Sequence, residues 1–203
     1  MLARSLFAAG LLAAACAAQA QLIFADNFNA DTQGLNQTTF VNGWTVTNGT
    51  VDVIGAGGSF DLYPGQGNYV DLDGSTGDAG VFGKSLSLTG GETYTASFLL
   101  GGSRRGDTNT VNVMFGTTLG SFTLLSGDPL GSRSVAFTPG SSGSYVLSFS
   151  NVGGDNLGAI LDDVAVRGAV AAIPEPETYA LMLAGLGAVG FIARRRKQGA
   201  GRA

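Results

Sequence analysis

The 203-residue chain contains no histidine, one cysteine and five prolines, and only 13% of its residues are charged. The missing histidine excludes Ser-His and Cys-His nucleophile pairs and removes the commonest general base and metal ligand. A single cysteine excludes an intramolecular disulfide framework and cysteine-based zinc sites. Because most familiar enzyme classes depend on these residues, the composition favours a protein that is not an enzyme.

The charge distribution disfavours nucleic acid as a partner. Residues 21–173 contain five basic and thirteen acidic side chains, which gives a formal net charge of −8. DNA-binding and RNA-binding surfaces need a basic patch that matches the phosphate backbone, and this segment has none. The remaining basic residues lie near the two ends of the chain, in segments whose apolar runs are typical of export and membrane signals.

Residues 1–20 have the three parts of a secretory signal peptide. Arg4 supplies the positive n-region, residues 6–15 form an apolar run, and Ala18-Gln19-Ala20 is a small-x-small cleavage pattern. Signal peptidase would cut after this pattern and leave a mature chain without cysteine. Cys16 leaves a lipoprotein alternative open, although the leucine usual three residues before a lipoprotein cysteine is absent.

The C-terminal segment, residues 171–203, combines three features in a fixed order. Pro174-Glu175-Pro176 precedes an uncharged apolar stretch, 178–193, and the basic cluster Arg194-Arg195-Arg196-Lys197 opens the tail, 194–203. We predict a transmembrane helix at 178–193, although its length of about 24 Å is short of the ~30 Å hydrocarbon core of a bilayer. Snorkelling arginines and local thinning of the bilayer cover part of the gap. The positive-inside rule then places the tail in the cytoplasm and the preceding domain outside.

This order of segments resembles the PEP-CTERM sorting signal of Gram-negative bacteria. The resemblance implies that an exosortase, a membrane cysteine protease, processes the chain near Pro174, Glu175 and Pro176. It also implies export across the inner membrane, transient anchoring there, and a final place on the cell surface or in the extracellular matrix. Proteins of this type accompany exopolysaccharide production and biofilm growth. A plain C-terminal membrane anchor is the alternative interpretation of the same hydropathy.

Residues 21–170 predict one all-β domain. Short runs of alternating polarity are separated by Gly, Asn, Asp and Ser clusters, and no stretch keeps a helical period for three turns. Dipeptides such as Asn42-Gly43 and Asp73-Gly74 suit tight turns. We therefore predict an antiparallel β-sandwich. Its strands are expected at Leu22–Phe28, Trp44–Thr47, Val51–Ile54, Tyr69–Leu72, Val81–Leu88, Thr93–Leu100, Thr110–Phe115, Gly120–Leu125, Arg133–Thr138, Gly143–Ser150 and Ala159–Arg167.

The last predicted strand, Ala159–Arg167, carries an acidic residue among aliphatic ones. Alternation places four side chains on one face that we expect to be the core face: Ile160, Asp162, Val164 and Val166. A buried carboxylate needs hydrogen-bond donors, a counter-charge or a metal ion. Without histidine, oxygen ligands favour Ca²⁺. Backbone N–H donors from a neighbouring loop are the alternative, and the sequence leaves both open.

Five short motifs occur in order along the domain: Asp26-Asn27-Phe28-Asn29, Gly43-Trp44-Thr45-Val46, Tyr69–Gly74, Gly91–Phe98 and Leu161-Asp162-Asp163-Val164. Together they resemble the galactose-binding-like jelly rolls of carbohydrate-binding modules and the related choice-of-anchor domains of bacterial surface proteins. The resemblance implies a jelly-roll sandwich that binds carbohydrate. It also implies a structural calcium ion that ties the N-terminal strand to the final strand.

On this sequence the implied calcium ligands are Asp26, Asn29 and Asp162. Asn29 is a neutral residue where the family has an acidic one, and Asp31 could compensate. A second acidic series, Asp71, Asp73 and Asp78, begins like an EF-hand loop. The closing glutamate of that motif is missing, so we interpret this series as a polar β-turn.

A sugar-binding surface combines an aromatic platform with amide, carboxylate or guanidinium groups. We predict Tyr63 and Tyr69 as the platforms and Arg104 and Arg105, in a polar loop, as hydrogen-bond donors. Trp44 is assigned to the core, because it begins an alternating strand. Two functions stay open: binding of carbohydrate or exopolysaccharide, and a structural matrix or surface role without a specific small ligand.

Overall fold

The computed structural model describes residues 20–169 and 176–200. The predicted signal peptide, up to residue 19, lies outside the described residues, as do Pro174 and Glu175 of the predicted sorting motif. The first described range is built from strands and the second from one helix. The strands are β1 (Ala20–Asp26), β2 (Gly34–Gln37), β3 (Thr45–Thr47), β4 (Val51–Gly55), β5 (Asn68–Asp71), β6 (Val81–Leu88), β7 (Tyr94–Gly101), β8 (Thr108–Phe115), β9 (Thr118–Leu125), β10 (Gly131–Phe137), β11 (Gly143–Asn151) and β12 (Ile160–Ala169).

The strands form two antiparallel sheets. The seven-stranded sheet, called sheet A, has the order β10-β7-β12-β5-β4-β2, with β1 also paired to β12. The five-stranded sheet, called sheet B, has the order β3-β6-β11-β8-β9. Strand β12 pairs with β7 along one side, and its other side is shared by β5 at Ile160 and by β1 from Val164 onwards. The last strand therefore joins the N-terminal strand to the middle of sheet A.

The antiparallel β-sandwich predicted from the sequence is confirmed. Each of the predicted strands is present, with ends that differ by no more than two residues. The prediction missed β2, because its sequence Gly-Leu-Asn-Gln has no apolar alternation. This edge strand pairs with β4, and the Asn36 N–H donates to Asp52 Oδ1 at 2.7 Å. Tertiary contacts rather than local propensity therefore form β2.

The main hydrophobic core lies between the two sheets and is rich in aromatic side chains. Trp44 is buried there and stacks on Phe82, with ring centroids 4.3 Å apart and planes 12° apart. Phe28 and Phe149 pack against the same indole in tilted orientations. The prediction that Trp44 belongs to the core is confirmed. Aromatic pairs of this kind stabilise a core by about 0.5–1.5 kcal/mol each beyond the burial of their area.

A smaller hydrophobic cluster lies on the opposite face of sheet A. It contains Ile54, Tyr63, Tyr69 and Ile160, with Leu62 and Leu130 packed against it. Ile54 and Tyr69 are cross-strand partners in β4 and β5, so their side chains share this face. Sheet A is therefore apolar on both faces near its centre.

Strand β12 departs from regular alternation at Asp162 and Asp163. Asp163 has φ +47°, and the register against β7 shifts directly after Asp162, which defines a β-bulge. Val164 consequently packs in the main core, whereas Ile160 packs in the smaller cluster. The prediction that Ile160, Asp162 and Val164 share one face is wrong, because the bulge interrupts the two-residue period between them. Asp162 is nevertheless buried as expected, at 1% exposed.

The helix α1 spans Pro176–Ala200. Proline suits the first helical position, because its missing N–H would have no intrahelical partner there. The helix extends beyond the predicted range 178–193 at both ends and includes the basic cluster Arg194–Lys197. Within the described parts of the chain, no helix combines the length and apolar character that a membrane crossing requires. Membrane crossing by this segment stays a prediction.

Candidate functional site

Tyr63 and Tyr69, the predicted aromatic platforms, lie in the smaller cluster on sheet A. They are 7% and 0% exposed, and their rings meet edge to face with centroids 6.0 Å apart. The Tyr69 hydroxyl accepts the N–H of Tyr63 at 3.0 Å, and burial raises the pKa of both phenols. Neither ring face is accessible, so the two tyrosines support the sheet rather than offer a stacking surface.

Arg104 is the exposed member of the four predicted ligand-binding residues. Its guanidinium carbon lies 4.7 Å from the centre of the Tyr63 ring, in a cation–π contact. Its Nη1 donates to the carbonyl of Gly127 at 3.2 Å. The residue has φ +61°, a conformation that few side-chain-bearing residues adopt. Arg104 therefore covers the buried tyrosine and leaves part of its guanidinium at the surface.

Arg105 points into the domain and pairs with a buried carboxylate. Its Nη2 lies 2.5 Å from Asp71 Oδ2, and its Nη1 donates to the carbonyl of Asn156 at 2.9 Å. Burial raises the pKa of Asp71 to about 7, while the adjacent guanidinium opposes that shift. Arg105 is thus the counter-charge of a buried carboxylate. Because Arg105 points inward and Arg104 is exposed, the two predicted hydrogen-bond donors do not share one binding surface.

Asp26 and Asp162, two of the three predicted calcium ligands, come together where β1 meets the bulge of β12. Burial raises the pKa of Asp162 to about 7, and the charges of Asp163 and Asp26 add to that shift. Asp162 Oδ1 accepts the N–H of Asp163 at 2.7 Å. The hydrogen-bond alternative is therefore met for one oxygen, but by the next residue of the same strand and not by a neighbouring loop.

Asn29 is the third predicted ligand. Its Oδ1 accepts a hydrogen bond from the N–H of Asn68 at 2.7 Å. Asp31 is a better candidate ligand than Asn29, because its Oδ2 is buried and has no hydrogen-bond partner. Burial, and to a smaller degree the charge of Asp26, raises the pKa of Asp31. Asp26 thus lies near both Asp31 and Asp162, since its charge raises the pKa of each. Among the described residues no three such side chains are arranged to hold a metal ion, and calcium stays a prediction here.

A second set of acidic residues is buried where β5 ends, although the sequence indicated only a polar turn. Asp71 and Asp73 are both buried, at 1% and 0% exposed. Asp71 has Arg105 as its counter-charge, whereas neither oxygen of Asp73 has a hydrogen-bond partner. Burial, followed by the charge of Asp155, raises the pKa of Asp73 to about 6. Only the folded chain shows that this turn lies under other loops.

The outward face of sheet B carries no charged side chain within its five described strands. Outward residues alternate with core residues such as Leu147 and Phe149 of β11, and the strand registers align them. Hydroxyls meet across strands, as in Ser85 with Ser144 at 2.7 Å. We call this surface the hydroxyl face. Its polar members are Thr45, Thr47, Ser85, Ser87, Thr108, Thr110, Asn112, Ser121, Thr123, Ser144, Ser148 and Ser150.

The hydroxyl face was not predicted, although part of its signal is visible in the sequence. Ser148 and Ser150 flank the core residue Phe149, and Thr108, Thr110 and Asn112 alternate in the same way. A two-residue period of hydroxyls marks the solvent side of one strand. The side-by-side arrangement of these strands depends on the sheet order, which local periodicity does not determine.

Two comparisons with known proteins bear on these observations. Residues 172–197 match the family model of the PEP-CTERM protein-sorting motif, which confirms the predicted sorting signal. No curated protein sequence matches the chain.

Solved structures show what the sandwich resembles. It is similar to the CBM22-1 xylan-binding domain of Paenibacillus barcinonensis Xyn10C, with 17% identity, a TM-score of 0.53, and 77% of this chain and 99% of that chain covered. It is also similar to the CBM22-1–CBM22-2 tandem domain of the same protein, with 19% identity, a TM-score of 0.50, and 80% of this chain and 50% of that chain covered. At such identities the likeness shows the fold. The chain thus combines a β-sandwich with the fold of carbohydrate-binding modules and a C-terminal PEP-CTERM sorting motif.

Proposed function

We propose that this protein is exported, processed by an exosortase, and displayed at the cell surface or in the extracellular matrix, where its sandwich binds a neutral polysaccharide. The PEP-CTERM motif at 172–197 supports export, transient anchoring in the inner membrane of a Gram-negative bacterium, and processing. The similarity of the sandwich to carbohydrate-binding modules supports the ligand class. The same similarity supports a non-catalytic role, because the solved structures that the sandwich resembles are carbohydrate-binding modules.

The hydroxyl face is the observation that carries the choice of a neutral polysaccharide. Residues 21–173 have a formal net charge of −8, so the field of the domain repels a polyanion. An uncharged face of Ser, Thr and Asn side chains hydrogen-bonds sugar hydroxyls without that repulsion. Met114, Leu119 and Leu125, exposed on the same face, offer apolar contact to the C–H groups of a sugar ring. An extended polymer can lie along an exposed sheet face of this kind.

A structural role without a specific ligand is the second candidate. It is favoured by the scarcity of exposed aromatic rings, since Phe60 is the single exposed aromatic side chain within residues 20–169. Sugar-binding proteins commonly use such rings as platforms. A matrix protein needs no platform of this kind.

Affinity electrophoresis of the full chain in gels that contain one polysaccharide each separates the two candidates. We expect retardation in a neutral polysaccharide such as xylan and none in an acidic one. Ser148→Glu, at the centre of the hydroxyl face, should abolish the retardation. The matched variant Ser134→Glu, exposed on sheet A, should keep it. Unchanged mobility of the wild type in every polysaccharide would favour the structural role.

A further inference from the structure

Strand β9 forms one edge of sheet B. It pairs with β8 along all eight of its residues without a register shift, and no described strand pairs with its other side. Residues of an antiparallel strand direct their main-chain N–H and C=O groups alternately to one side and the other. The free side of β9 therefore presents a row of main-chain donors and acceptors with which another strand can pair.

The bonds around β8 identify which residues of β9 direct their main chain to the free side. The N–H of Val152 donates to the carbonyl of Thr110 at 2.8 Å, so Thr110 directs its main chain away from β9. Thr123 is the cross-strand partner of Thr110 and therefore directs its own main chain to the free side. Ser121 and Leu119 follow at the two-residue period. Among the described residues, nothing hydrogen-bonds to the main-chain groups of these three positions.

The row of free main-chain groups ends at a defined place on each side. At one end, Gly116 and Thr117 make the turn that joins β9 to β8. At the other end, the Leu125 N–H donates to Asp128 Oδ2 at 2.8 Å, and its carbonyl accepts the N–H of Asp128 at 3.0 Å. The free row thus comprises Leu119, Ser121 and Thr123, with Ser121 at its centre.

The other sheet edges carry features that hinder pairing with a further strand. Strands β2 and β3 have only four and three residues, and the pairings of β1 and β2 contain register shifts. Strand β10 carries Arg133 and is followed by Pro139. Short length, irregular register, charge and proline all protect an edge. Strand β9 is the edge within residues 20–169 that has none of these features, and its Leu119 is 60% exposed.

We propose that β9 is a dimerisation strand, which pairs antiparallel with β9 of a second copy of this chain about a two-fold axis at Ser121. In this register Ser121 lies opposite Ser121 of the partner subunit, and Leu119 lies opposite the partner subunit's Thr123. Each free N–H and C=O of the row then has a partner, because the same positions face outward in both copies. An interface of this kind uses one patch twice, as two-fold symmetry requires.

Charge and length favour a second copy as the occupant of this edge. Residues 21–173 have a formal net charge of −8, so two copies repel each other wherever their acidic surfaces meet. Strand β9 is uncharged, so its self-pairing places no like charges opposite each other. A longer foreign strand would gain no further main-chain bonds, because Asp128 occupies one end of the row and the hairpin turn the other.

Pairing through β9 would join sheet B of the two copies into one continuous sheet. The exposed side chains of Leu119, Ser121, Thr123 and Leu125 lie on the hydroxyl face, so the two hydroxyl faces would become one surface. One strand offers a small interface compared with the ~1,600 Å² of a standard complex. We therefore expect the dimer to dissociate on dilution.

Sedimentation velocity of the full chain over a concentration series tests the dimer and its register. The wild type should change reversibly from monomer to dimer. Ser121→Lys and Ser121→Glu should each stay monomeric at concentrations where the wild type is dimeric, because like charges would face each other at the axis. A mixture of the two variants should form the dimer again, since opposite charges then face each other. Ser134→Lys, at an exposed position of β10, should dimerise like the wild type.

Hydrogen exchange of the wild type locates the interface independently. The amides of Leu119, Ser121 and Thr123 should exchange more slowly as the concentration rises, whereas that of Phe122, which faces β8, should be protected at every concentration. Three results would overturn the proposal: a wild type that is monomeric throughout, a dimer that survives Ser121→Lys, and a mixture of the charged variants that stays monomeric although both unfold like the wild type.

Discussion

The indole Nε1–H of Trp44 donates a hydrogen bond to Asp26 Oδ2 at 2.9 Å, and both residues are buried. Asp26 ends β1 of sheet A, and Trp44 directly precedes β3 of sheet B. The other oxygen of Asp26 accepts the N–H of Phe28 at 3.0 Å. One carboxylate thus holds the N-terminal strand against the core tryptophan and shapes the turn that follows.

Asp26→Ala should destabilise the fold, because it leaves two buried N–H donors without an acceptor. We expect a loss of about 2–6 kcal/mol in the free energy of unfolding, from a penalty of about 1–3 kcal/mol for each of the two unsatisfied buried groups. Asp26→Asn retains one acceptor oxygen and should cost less. Urea unfolding measures both, with Asn27→Ala as the exposed neighbouring control. A loss no larger than that of the control would mean that the two hydrogen bonds of Asp26 do not stabilise the fold.

Thermal unfolding of the full chain in Ca²⁺ and in EDTA tests the calcium site predicted from the sequence. The melting temperature should rise with Ca²⁺ and fall back with EDTA. Asp162→Asn should eliminate that response, since it removes the charge, whereas Asp163→Asn should retain it. Asparagine tolerates the positive φ of position 163, so the control keeps the bulge. A melting curve that ignores the chelator would eliminate this calcium ion.

Without metal, the stability of the domain should fall as the pH rises. The pKa values of Asp71 and Asp162 are raised to about 7 and that of Asp73 to about 6, against ~3.9 for an unfolded aspartate. The folded state therefore binds these protons more tightly, so the stabilisation is complete below about pH 4 and is lost as the pH passes through 6 to 7. In EDTA we expect a higher melting temperature at pH 5 than at pH 8.

Asp73→Asn and Asp162→Asn should each flatten this pH dependence, because an amide does not titrate. Asp61→Asn serves as the control, because the carboxylate of Asp61 is not buried. A wild-type melting temperature that is constant or rises between pH 5 and pH 8 would contradict the raised pKa values.

Processing at the sorting motif should release the protein without its basic tail. In a host that has the exosortase, intact-mass analysis of the released form should show cleavage near Pro174–Pro176. In its absence the chain should stay in the membrane fraction. Glu175→Ala should block release, and Glu177→Ala is the matched control, since it lies outside the Pro-Glu-Pro sequence. Released protein that still carries Arg194–Lys197 would refute processing at this motif.

A reporter fused after Ala203 should be active in the cytoplasm. Four consecutive basic residues, Arg194–Lys197, resist translocation across the inner membrane, which retains the tail on the inner side. Matched fusions to a reporter active in the periplasm and to one active in the cytoplasm measure the orientation. Activity of the periplasmic reporter would show that the segment does not cross the membrane as proposed.

The sequence by itself determined the fold class, the approximate strand ends and the sorting motif. These features depend on residues that are close together in the sequence. A two-residue period indicates a strand, and turn residues indicate where it ends. The three parts of the sorting motif, which are Pro-Glu-Pro, an apolar stretch and a basic cluster, lie in one short segment. Trp44 was also assigned correctly to the core, because its place in an alternating strand is a local property. Burial of Asp162 followed from its aliphatic neighbours in the same way.

Only the tertiary structure decided which side chains meet and which are exposed. The bulge at Asp163 depends on the register of β12 against β7, so alternation along one strand wrongly placed Ile160 and Val164 on the same face. Tyr63 and Tyr69 are buried because separate loops and strands pack around their rings. Asp73 is buried beneath Gly153, which lies 80 residues further along the chain. Local periodicity predicts where a single strand lies and which of its side chains alternate. Burial and site geometry depend on contacts between residues that are far apart in the sequence.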